Sequence, residues 1–89
     1  MQSYYGPMNG HNNYVTRDFY LSACLLASGL EIQDITDQAG ILFFSFNSDI
    51  AAAEEIVKQH WNGQLILPTK ALTEAIYQLK NRMRQVGRA

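Results

Sequence analysis

Residues 41–47 read ILFFSFN, a run of branched and aromatic side chains too short for a helix and well suited to a β-strand. Alternation puts Ile41 and Phe43 on one face and Leu42, Phe44 and Phe46 on the other. A strand that is apolar on both faces belongs in the middle of a sheet, or needs a partner over its second face. Residues 30–36 (LEIQDIT) precede it with rough alternation. Gly40, which can take the positive φ of a hairpin loop, lies between the two, so the pair reads as an antiparallel hairpin.

Helices flank this hairpin. Residues 17–28 are apolar around most of a helical circumference (Phe19, Leu21, Ala23, Cys24, Leu25, Leu26), which predicts a deeply packed helix. Thr16 is its expected N-cap, Asp18 suits its first turn, and Gly29 is its stop. A second helix is expected after Asn47 or Ser48, with Ile50, Ala53, Ile56, Val57, His60 and Trp61 on its apolar face and Asn62-Gly63 at its end. Residues 64–67 read as a short third strand or an extended connector closed by Pro68. Thr69 then caps the longest helix, 70–86. Its seam of Leu72, Ile76, Leu79, Met83 and Val86 follows heptad spacing for two heptads. The expected architecture is a small single α+β domain: helix, β-hairpin, helix, short strand, long C-terminal helix. It spans 16–86, with a Tyr/Asn/Gly-rich flexible arm over 1–15 and a basic end at 87–89.

Size and composition then narrow the function classes. The chain has 89 residues, an apolar fraction of 47% and a charged fraction of 17%, which suit one globular domain rather than disorder. No apolar run reaches the roughly 18 residues of a membrane span, and the first residues lack the pattern of a secretory leader; a cytoplasmic location is the expectation. A single cysteine with no CxxC or Cys/His cluster gives neither an internal disulfide nor a zinc finger. No phosphate-binding glycine motif occurs, and Glu54 and Glu55 point to different sides of a helix. Cys24 lies among Leu and Ala, where a thiol is an inert small hydrophobe, and His60 beside Trp61 suits a partly buried structural imidazole. No catalytic residue, metal or cofactor is expected, and the chain is not expected to be an enzyme.

Charge divides unevenly. Residues 1–63 hold two basic and seven acidic side chains, a net of −5, whereas residues 64–89 hold five basic and one acidic, a net of +4. Lys80, Arg84 and Arg88 step by four and Arg82 lies between them, so the end of the last helix offers a short basic stripe. Cations also favour a helix C-terminus for its dipole alone. A stripe touching phosphates is the alternative functional expectation.

The stretch from Thr16 to Ala23 (TRDFYLSA), Gly29, the Phe-rich strand, His60-Trp61-Asn62-Gly63 and Leu79-Lys80 resembles an uncharacterised family of short bacterial and phage-type domains. Its pattern is T-x-D-x-Y/F-L-x-A, a glycine after the first helix, an F-x-F strand, an aromatic-N-G step and a final helix with Leu-Lys. The resemblance covers about 16–83 and implies kinship of fold and a mobile-element association, with no activity. The expected function is a non-enzymatic binding module, an accessory subunit or adaptor that docks on a larger protein assembly or on a second copy of itself. Tyr4, Tyr5, Tyr14, Trp61, Met83 and Val86 are its expected contacts. In the alternative, Lys80, Arg82, Arg84 and Arg88 contact nucleic-acid phosphates.

Overall fold

A computed structural model describes residues 13–87. The elements run β1 (Asn13–Thr16), α1 (Phe19–Ala27), β2 (Glu31–Gln38), β3 (Ile41–Asn47), α2 (Ile50–Trp61) and α3 (Thr69–Gly87). This is a small α+β domain. The sheet is antiparallel, in the order β1-β3-β2, so the strand with two apolar faces lies in the middle.

Three residues of the expected arm, Asn13, Tyr14 and Val15, are instead in β1 with Thr16. Asn13 pairs with Asn47, Tyr14 with Phe46, Val15 with Ser45 and Thr16 with Phe44. The free edge of β3 supplies the partner that this short stretch could not advertise by itself. The earlier part of the arm, with Tyr4 and Tyr5, and the end with Arg88 lie outside the described residues.

Pairing in β1 also moves the start of the first helix. Thr16 belongs to the ladder, and α1 is capped two residues later by Asp18, whose Oδ1 accepts the Leu21 amide at 2.9 Å. Thr16 keeps a lesser role, its Oγ1 accepting the Asp18 amide at 3.1 Å. At the other end Gly29 takes φ +105°, its amide donates to the Leu26 carbonyl, and the Leu30 amide donates to the Leu25 carbonyl. Those two bonds close a Schellman cap, the reason a residue without Cβ ends this helix. The same motif ends α2, where the Gly63 and Gln64 amides bind the His60 and Gln59 carbonyls.

The hairpin turn is tighter than the expected loop. Gln38 pairs with Ile41, leaving only Ala39 and Gly40 between the strands, both at positive φ. That is the geometry of a type I′ turn, which matches the twist of the flanking strands. Asp37 Oδ1 accepts the Gly40 amide at 2.8 Å and secures it.

Residues 64–68 form no strand and bridge α2 to α3 as an extended connector. The Leu65 amide stays bound to the Gln59 carbonyl within the cap of α2, which keeps the segment beside the helices and away from the sheet.

The core lies between one face of the sheet and the helices. Phe44 and Phe46 are almost completely buried, against Ile35 from β2, Leu21, Ala23 and Leu25 from α1, and Ala75 and Leu79 from α3. Helix α1 touches both other helices, so nearly all of its circumference is covered, as its sequence implies. The seam of α3 faces inward: Leu79 is buried, and Leu72, Ile76, Met83 and Val86 pack against the core from its margin. Across the sheet, Ile41 is exposed and Phe43 and Val15 are half-buried outside this cluster. The domain is only 18 Å along its shortest axis, the depth of two layers.

Candidate interaction surface

The end of α2 and the connector after it carry two of the exposed large apolar side chains among the described residues, the others being Tyr20, Ile41 and Tyr77. Trp61, in the last turn of α2, is 65% exposed, and Ile66 in the connector is 90% exposed. Asn62 and Gly63 turn the chain between them through the cap of α2. The Trp61 ring meets the His60 ring edge-on at 4.7 Å, which steadies its base while leaving its face open.

His60 reaches inward to the other side chain the sequence singled out for chemistry. Its Nδ1 lies 3.7 Å from Cys24 Sγ, joining α1 to α2. Burial, and secondarily the charge of Asp18, push the Cys24 thiol above its ordinary value. The thiol therefore keeps its proton at neutral pH. Among the described residues no set of three or more His, Cys, Asp or Glu side chains gathers to hold a metal ion.

The other expected contact residues are placed differently. Tyr14 in β1 and Met83 and Val86 in α3 are half-buried and pack against the domain's own core. The heptad seam thus packs against α1 and β2 within the domain. The basic residues divide as well. Lys80 and Arg84 are exposed near Tyr77, with Arg84 donating to Asn81 Oδ1, whereas Arg82 is half-buried on the opposite side of α3.

Sequence reasoning missed Ile66, because the apolar run Leu65-Ile66-Leu67 reads as a strand until the connector is seen to have no sheet partner. It also missed the approach of Cys24 to His60, which are far apart in the chain and share no motif. No family model matches the chain, and neither a curated protein nor a solved structure matches it. Among the described residues, no helix is long and apolar enough to cross a membrane.

Proposed function

We propose that this protein is a non-enzymatic interaction module, an accessory subunit or adaptor that docks on a larger protein assembly. The observation that carries this reading is the exposed pair Trp61 and Ile66 on a domain whose core is complete without them. Tryptophan supplies a large contact area with few rotors and is enriched among residues that dominate binding energy. An exposed tryptophan followed closely in the chain by an exposed isoleucine has a ready use as an anchor for a partner. The resemblance to phage-type domains fits an accessory part of a mobile element's assembly in the cytoplasm.

The test is affinity capture from the native host with the wild-type chain and with a Trp61→Ala/Ile66→Ser variant. Partners captured by the wild type and lost with the variant, at unchanged unfolding midpoint, support the reading. Identical partner sets for both chains would overturn it.

A second reading is favoured by Lys80, Arg84 and Tyr77, which lie close together on the solvent side of α3. Such a face suits contact with nucleic-acid phosphates. If so, replacing Lys80 and Arg84 by Gln lowers the salt slope of DNA binding by about 0.9 for each phosphate contact removed. A slope unchanged by the replacement rejects it.

A further inference from the structure

We draw no further inference here: the strongest candidate, the outer face of the sheet, where Ile41 is exposed and Val15 and Phe43 are half-buried outside the core cluster, carries nothing because nothing in the structure shows what covers it.

Discussion

The two faces of β3 are made of similar residues and live in different surroundings. Phe44 and Phe46 point toward the helices and are almost fully buried, whereas Phe43 is half-buried and Ile41 exposed on the bare side. Neighbours in sequence are separated by the pleat, and only the layer above each face decides what an aromatic ring contributes. Apolar character on both faces is thus enough to place a strand in the centre of a sheet. It is not enough to say that both faces are covered.

The most direct way to break this comparison is to truncate one ring on each face. Phe46→Ala should cost about 3–5 kcal/mol in urea unfolding, the range for emptying a packed aromatic site. Phe43→Ala should cost only roughly 1 kcal/mol, as expected away from a packed core. Equal losses would mean that something covers the bare face in solution. Leu79→Ala probes the helical lid from the other side and should cost about 2–5 kcal/mol, since Leu79 is the fully buried centre of the α3 seam.

A change in the hairpin turn acts on both faces together and sharpens the contrast by leaving it intact. Ala39 sits at φ 56°, a conformation costly for a residue with Cβ and readily adopted by asparagine. Ala39→Asn should therefore raise stability by about 0.5–1 kcal/mol, read as a higher urea midpoint.

The smallest expected effect belongs to the helical side alone and depends on pH. The Cys24 thiol is raised from its ordinary value of 9.0, so the folded chain holds this proton more tightly than the unfolded chain. Its contribution is complete below about pH 9.0 and is lost as pH rises toward the folded value. The unfolding midpoint of the wild type should fall more steeply above that pH than the midpoint of Cys24→Ala. Parallel curves would show that the thiol does not take part.

What could be read from the sequence was local. Gly29 and Asn62-Gly63 mark helix ends because a Schellman cap depends on a few neighbouring residues, and the α3 seam is visible because its spacing is that of a helix. The α+β class followed from the same signals. β1 was hidden because four residues from Asn13 to Thr16 have no pattern of their own and become a strand only against β3. The cap shifted from Thr16 to Asp18 for the same reason. Of the candidate site, Trp61 was legible as a tryptophan at a helix end. The approach of His60 to Cys24 was not, since the two come from different helices and are joined only by the fold.

The central place of β3 also sets an order of assembly. Its pairing with β2 closes a two-residue turn, whereas its pairing with β1 must bring Asn13 to Asn47 across α1 and the whole hairpin. The entropy of closing that longer loop makes the hairpin the earlier event and the docking of β1 the later one. Until β1 arrives, one side of an Ile- and Phe-rich strand stands open to any other chain at the same stage. Yield on refolding should then depend on protein concentration, and the four residues Asn13–Thr16 are what end the exposure.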